Sequence, residues 1–329
     1  MGTEQAVGIL GLGAYVPDRV MTNEDWTRYV DTSDEWIHAR TGIRQRRIAR
    51  EDQTTLDLAA PAAERALADA GVVPREIDEL IVATDTPEVT IPDTSAYLQN
   101  RLGLGEIPCF DLAGSGCAGW VLGLDIARSR AAGGRKVLLV GVELLSRLLD
   151  WTDRSTCVLF GDAAGAAVIG SGERPIEIVA VTAGTDGSRA DILGREVGGT
   201  RRPIDHEMTR RGEHKGVTMN GREVFKEAVK RMTASAHHVL EIAGNSLDDV
   251  ALVVPHQANI RIVNAVAKAL SLPTDRLVVN IEEYGNTGSA SIPLALRQAM
   301  DRQRIHNGDL VLLTSFGAGF HWASALLRF

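Results

Sequence analysis

A cysteine among glycines, a histidine closing an apolar run and an asparagine in a glycine-rich loop are the residues whose types and settings point to chemistry. Cys117 lies in Ala113-Gly114-Ser115-Gly116-Cys117-Ala118-Gly119-Trp120, after a strand-like stretch at 109–112 and ahead of a helical pattern at 121–132. A thiol at a helix start faces unpaired backbone N–H groups and the positive end of the helix dipole. Both favour the thiolate, the form that attacks carbonyl carbon. The setting therefore predicts a nucleophile of lowered pKa, although a small buried cysteine beside helix-packing glycines fits it too. Cys109, after Pro108, and Cys157, in the apolar run 157–160, read as inert core residues.

A nucleophilic thiol needs a group that manages protons and donors that hold an oxyanion. Of the eight histidines, His256 is the one so placed. It follows the apolar run 251–255 and heads His256-Gln257-Ala258-Asn259, at the carboxyl end of a predicted strand, where open α/β sheets assemble their sites. A loop histidine bonded to backbone is the plainer alternative. His237 and His238 are adjacent in a helical stretch with no second ligand at helical spacing, so no metal is expected there. Asn286, in Tyr284-Gly285-Asn286-Thr287-Gly288-Ser289, can donate from its amide to a growing oxyanion, where an aspartate would repel it. A left-handed turn selects asparagine as well. The last glycine-rich loop, 315–320, offers a further backbone N–H.

The elements that must position these groups follow from periodicity. Short Val/Ile/Leu runs at 80–83, 136–141, 163–169, 250–254 and 309–314 alternate with amphipathic stretches at 55–70, 224–243 and 260–270. This is the pattern of an α/β protein whose strands are covered on both faces. The order also repeats. A helix ending at Gly71 precedes the strand at 77–84 and a helix at 94–102; a helix ending at Gly244 precedes the strand at 247–254 and a helix after Asn259. The helix after Cys117 leads to the run 136–141 as the helix after Ser289 leads to 309–314. Two similar halves are predicted, 1–172 carrying Cys117 and 173–329 carrying His256 and Asn286.

Composition narrows the setting. With 329 residues, 44% of them hydrophobic, the chain can bury a large core, and its net charge of −8 gives no overall attraction to nucleic acid or an anionic membrane. Three cysteines are too few for a disulfide framework and fit a reducing cytosol. No run approaches about 18 apolar residues, and no basic region precedes an apolar one at the N-terminus. A cytoplasmic protein without membrane or nucleic-acid partners is expected. Gly2 makes no myristoylation signal, because Ala6 stands where Ser or Thr is needed.

Four motifs together go further. Gly116-Cys117-Ala118-Gly119, Val254-Pro255-His256-Gln257-Ala258-Asn259, Gly285-Asn286-Thr287 and Phe316-Gly317-Ala318-Gly319-Phe320-His321-Trp322 resemble those of the β-ketoacyl-acyl-carrier-protein synthase III family. The stretches 31–37, 40–44, 153–156, 160–167 and 219–225 resemble it too, so the similarity runs from residue 8 to the carboxyl end. The resemblance implies the thiolase fold, five αβαβα layers built from two similar halves with mixed sheets, usually as a homodimer, with no metal or cofactor. It implies a ping-pong decarboxylative Claisen condensation of an acyl-coenzyme A primer with malonyl-acyl-carrier protein, initiating fatty acid synthesis through an acyl-Cys117. His256 and Asn286 would donate to the enolate, and the backbone N–H groups of Cys117 and Ala318 would hold the acyl oxygen. Trp36, Arg40, Thr41 and Arg154 would hold coenzyme A, with Trp36 on the adenine and the arginines on phosphate. Ile91 and Phe160 would border the acyl pocket, Ile91 across the dimer interface, and Gln257 and Arg261 would meet the carrier protein.

Some positions depart from the family. Ala318 replaces a glycine, adding a methyl group but keeping the backbone donor, and Ile91 replaces a phenylalanine, which leaves room for a longer or branched primer. The polar segment 195–216 reads either as a flap over the entrance or as an ordinary surface loop. A relative that uses the same triad in secondary metabolism fits the sequence as well. A papain-like protease shares the Cys, His, Asn order but carries its cysteine near the mature N-terminus after a glutamine. Gly11-Leu12-Gly13-Ala14-Tyr15-Val16 ends in valine where a dinucleotide fingerprint needs Gly or Ala. A non-catalytic subunit of the same fold would have no use for Cys117, His256 and Asn286 together.

Overall fold

The structure, a computed structural model, describes residues 6–173, 175–213 and 216–329; Gly2 and residues 214–215 of the polar segment lie outside them. The first half contributes β1 (Val7–Tyr15), the ribbon of β2 (Val20–Thr22) and β3 (Gln45–Arg47), then β4 (Glu79–Thr84), β5 (Cys109–Ala113), β6 (Val137–Leu144) and β7 (Asp162–Ser171). Its helices are α1 (Asp34–Thr41), α2 (Thr55–Ala70), α3 (Thr94–Leu102) and α4 (Gly119–Ala131). The second contributes β8 (Ile176–Thr185), the ribbon of β9 (Leu193–Gly194) and β10 (Thr218–Met219), then β11 (Val250–Pro255), β12 (Leu310–Gly317) and β13 (His321–Arg328). Its helices are α5 (His206–Arg211), α6 (Gly221–Ile242), α7 (Ile260–Ala269), α8 (Ile281–Tyr284) and α9 (Ser291–Asp301).

The two halves repeat one strand order. In the first it is β5-β4-β6-β7-β1, with β5, β4 and β6 parallel and β7 antiparallel to both its neighbours. In the second it is β11-β12-β13-β8 with the same directions, and Leu277 pairs in parallel with Val253 where β5 pairs with β4 in the first. The half-sheets join into one sheet where Gly8 and Ile9 of β1 pair with Glu177 and Ile176 of β8.

Alternation along the strands decides what covers each face. Leu80, Val82, Leu138 and Val140 point to α2 and α3, while Ile81, Val137 and Leu139 point to α4. In the second half Val253 and Leu312 meet α6 and α7, while Leu252, Val254, Val311 and Leu313 turn inward to the cluster holding Ile292, Ala295 and Leu296 of α9. Apolar residues on both faces are what a strand between two helical layers requires. The result is α2/α3, half-sheet, α4/α9, half-sheet, α6/α7: five layers. Strand β1 was harder to foresee because it is glycine-rich. A Cβ on Gly11 would lie 2.3 Å from Ala70 N and one on Gly13 2.2 Å from Ala62 O, so these glycines let α2 rest directly on the strand backbone. Among the described residues no helix is long and apolar enough to cross a membrane.

Candidate active site

The nucleophile turn is set by its glycines. After β5 the chain passes through Gly114 and Gly116, both at positive φ (69° and 57°), and enters α4 through the tight turn Gly116–Ala118 that holds Cys117. A Cβ on Gly116 would come within 2.6 Å of Ala318 N, and one on Gly317 within 2.4 Å of Cys117 N. The β5–α4 turn and the β12–β13 turn are thus packed backbone against backbone, with the N–H groups of Cys117 and Ala318 side by side.

His256 follows β11 directly. Its N–H donates to Thr314 O of β12 (2.8 Å), and its ring Nδ1 lies 2.6 Å from Ser291 Oγ at the start of α9. It is 2% exposed, and burial lowers its pKa to about 3, so the imidazole is neutral. Asn286 is clamped at both backbone groups: its N–H donates to Leu159 O and its C=O accepts from Gly161 N, each at 2.9 Å. Its Oδ1 accepts from Gly288 N (2.9 Å), which leaves the NH₂ group to point outward as a donor.

Cys117, His256, Asn286 and Ala318 border a single cavity of about 1240 Å³. One expectation is overturned. The thiol pKa is raised, not lowered: burial is the main cause, and the carboxyl groups of Asp85 and Glu143 add to it. The helix start is outweighed because Cys117 is only partly exposed and two acidic side chains act on its sulfur. Glu143 accepts from Asp85 N (3.2 Å), Thr86 Oγ1 (3.0 Å) and Ser289 Oγ (2.9 Å), and Asp85 Oδ1 accepts from Gly116 N (3.4 Å). Burial pushes both carboxyl groups up, and for Glu143 the neighbouring Asp85 pushes further. Sequence reasoning missed this pair. A signal existed: Asp85 lies just past the carboxyl end of the apolar run 80–83, and Glu143 interrupts the run 137–145.

The remaining expected residues divide. Trp36, Arg40, Thr41, Arg154, Phe160 and Arg261 border the same cavity. The guanidinium groups of Arg40 and Arg154 lie 4.3 and 4.5 Å from the Trp36 ring centre. The Thr41 hydroxyl is used inside the protein, donating to Ile37 O and accepting from Ile43 N. Arg261 ties α7 to α1 through Ala39 O (3.2 Å). Gln257 is a correction: it is 1% exposed, donates to Pro255 O and Val278 O and accepts from the N–H groups of Asn280 and Ile281, so it braces the loop and presents nothing to a carrier protein. Ile91 lies away from the cavity of its own chain and is 86% exposed. The described part of the polar segment edges the cavity through Arg195, Gly198 and Gly199.

Comparison with known proteins agrees with this geometry. Residues 110–187 match the family model for 3-oxoacyl-[acyl-carrier-protein (ACP)] synthase III, and residues 240–329 match the model of its C-terminal part. The β-ketoacyl-[acyl-carrier-protein] synthase III of Roseiflexus castenholzii is 47% identical over 322 residues, 97% of each chain. The solved structure of the Thermus thermophilus β-ketoacyl-[acyl carrier protein] synthase III is 47% identical, with a TM-score of 0.89 over 98% of this chain and 99% of that one. The priming β-ketosynthase of the R1128 polyketide biosynthetic pathway is 36% identical, with a TM-score of 0.90 over 100% and 98%. The fold and the site thus define a condensing enzyme of the thiolase fold. More narrowly, the chain belongs to the 3-oxoacyl-[acyl-carrier-protein] synthase III family, transferases of fatty acid biosynthesis.

Proposed function

We propose that this protein condenses an acyl-coenzyme A primer with malonyl-acyl-carrier protein through an acyl-Cys117 intermediate. The observation that carries the reading is the shared cavity, which has Cys117, His256 and Asn286 on its wall together with Trp36, Arg40 and Arg154. Cys117 attacks the primer thioester; a sulfur–carbon bond forms, and coenzyme A leaves as a thiol with the proton that Cys117 gives up. The acyl oxygen is held by the neighbouring N–H groups of Cys117 and Ala318. Malonyl-carrier protein then loses carbon dioxide, and the electron pair of the broken carbon–carbon bond becomes an enolate. Asn286, its Oδ1 occupied by Gly288, and the neutral His256 offer hydrogen bonds to that oxygen. The enolate carbon attacks the acyl group, and Cys117 departs as a thiolate. Donors that meet charge only as it develops accelerate the step without strengthening ground-state binding.

On the same reading Trp36, Arg40 and Arg154 hold coenzyme A, Phe160 borders the acyl chain, and Arg261 faces the carrier protein. Ile91 is the kind of exposed apolar residue that a homodimer would bury against its partner's pocket. Residues 1–172 and 173–329 are the two halves, and the enzyme works in the cytoplasm. The relative from the polyketide pathway supports a second reading, in which the same condensation primes a secondary metabolite. Mass spectrometry of the protein with a panel of acyl-coenzyme A donors, followed by malonyl-carrier protein, tests both. An acyl adduct on Cys117 that is then consumed supports the proposal, and loading that persists in Cys117→Ala overturns it.

A further inference from the structure

Among the described residues the ring of His256 hydrogen-bonds one side chain, and that bond decides which of its nitrogens carries the proton. Ser291 Oγ and His256 Nδ1 are 2.6 Å apart, the serine 1% and the histidine 2% exposed. Among the described residues Ser291 Oγ has no other side-chain or backbone partner, and Nε2 is left for the cavity that His256 borders. Only one proton fits between two atoms so close. If it belongs to the imidazole, the serine proton is left without an acceptor in a dry core, and Nε2 presents a bare lone pair to the cavity. If it belongs to serine, both groups are satisfied and Nε2–H faces the cavity. Ser291 sits on the first turn of α9, and Thr314 O fixes the backbone of His256, so the backbones from which both side chains project are held by a central helix and the sheet.

We infer that Ser291 is a positioning residue: its hydroxyl donates to His256 Nδ1 and holds the imidazole as the Nε2–H tautomer, so that a donor meets the substrate oxygen. The catalytic consequence rests on the proposed condensation; the tautomer does not. With ring-¹⁵N histidine, two-bond proton–nitrogen spectra at neutral pH report which nitrogen of His256 is protonated, the signal being assigned by its loss in His256→Ala. The wild-type protein should show Nε2–H. Ser291→Ala should show a mixture or Nδ1–H, and Ser291→Thr should restore the wild-type pattern. Acyl loading of Cys117 should change little in Ser291→Ala, while kcat for condensation falls roughly ten- to a hundredfold with KM for malonyl-carrier protein nearly constant.

Three results overturn the inference: an Nδ1–H tautomer in the wild-type protein, an unchanged tautomer in Ser291→Ala, or loading and condensation falling by the same factor. Should Ser291→Thr fail to fold, the comparison of wild type with Ser291→Ala decides alone. A wild-type enzyme that loads no acyl group refutes the proposed function instead and leaves the spectra to decide the role of Ser291.

Discussion

Replacing Asp85 by asparagine should make Cys117 a better nucleophile toward small alkylating agents. Asparagine keeps an oxygen that can accept from Gly116 N, now 3.4 Å from Asp85 Oδ1, so the nucleophile turn retains its support while a negative charge is removed. Cys117 follows Gly116 directly, and the Asp85 carboxylate acts on its thiol through space. Two unit charges about 6 Å apart in a medium of effective permittivity about 20 repel by about 3 kcal/mol. That corresponds to about two in pKa. Burial raises the pKa of Asp85 itself, so this figure is an upper bound. The sign follows directly: a neighbouring anion disfavours the thiolate, so its removal lowers the thiol pKa and raises the thiolate fraction, by at most about a hundredfold. Iodoacetamide alkylation of Cys117, followed across pH by peptide mass spectrometry, measures this without reference to Cys109 or Cys157. An unchanged rate would refute the electrostatic account, and a slower rate would make Asp85 the proton acceptor of the thiol.

Gly288→Ala should lower stability by about 1–3 kcal/mol, because φ is +56° and the new Cβ would lie 2.7 Å from Glu143 Cγ. It should also slow malonyl decarboxylation by disturbing the bond that orients Asn286; thermal unfolding and carbon dioxide release check the two effects, and an unchanged Tm counts against the steric argument. Acid should destabilise the protein through His256. The unfolded histidine takes up a proton near 6.5 and the folded one only near 3, so the folded state binds fewer protons between these values and stability is lost as pH falls through them, by up to about 5 kcal/mol. The raised carboxyls of Asp85, Glu143 and Asp162 act with opposite sign, so denaturant midpoints of His256→Asn and wild type, compared at pH 4 and 7, isolate the histidine. Gln257→Ala should cost on the order of 2 kcal/mol through its lost internal hydrogen bonds, with carrier-protein affinity unaltered in the folded variant. Weaker carrier binding at wild-type stability would return Gln257 to the surface role its motif suggested.

The repeat that was legible in the sequence, 77–84 against 247–254, corresponds to β4 and β11, which occupy matching places in the two halves. Strong apolar runs and long amphipathic stretches gave themselves away: α2 and α3 fall where periodicity puts them. The main-sheet strands that were missed, β1, β8 and β13, have glycines, threonines or polar residues that interrupt or shorten their apolar runs. The site was legible as three motifs because each sits in a small-residue loop at an element boundary. Its electrostatics were not. The pKa of Cys117 depends on Asp85 and Glu143, which lie 32 residues before it and 26 after it in the chain and are brought to it only by the pairing of β4 with β5 and β6. Gln257 was misplaced for a related reason: its motif records that the residue matters, and burial alone reveals that it matters to the loop.

Among the described residues the half-sheets pair edge to edge at two positions, Gly8 with Glu177 and Ile9 with Ile176. Yet Cys117 follows a strand of one of them and His256 a strand of the other, while Asn286 is bonded across to Leu159 and Gly161 of the first half. Alignment of the reacting groups therefore rests on such cross-bonds together with the two helices sandwiched at the centre of the molecule, α4 and α9, whose shared packing acts as a keel.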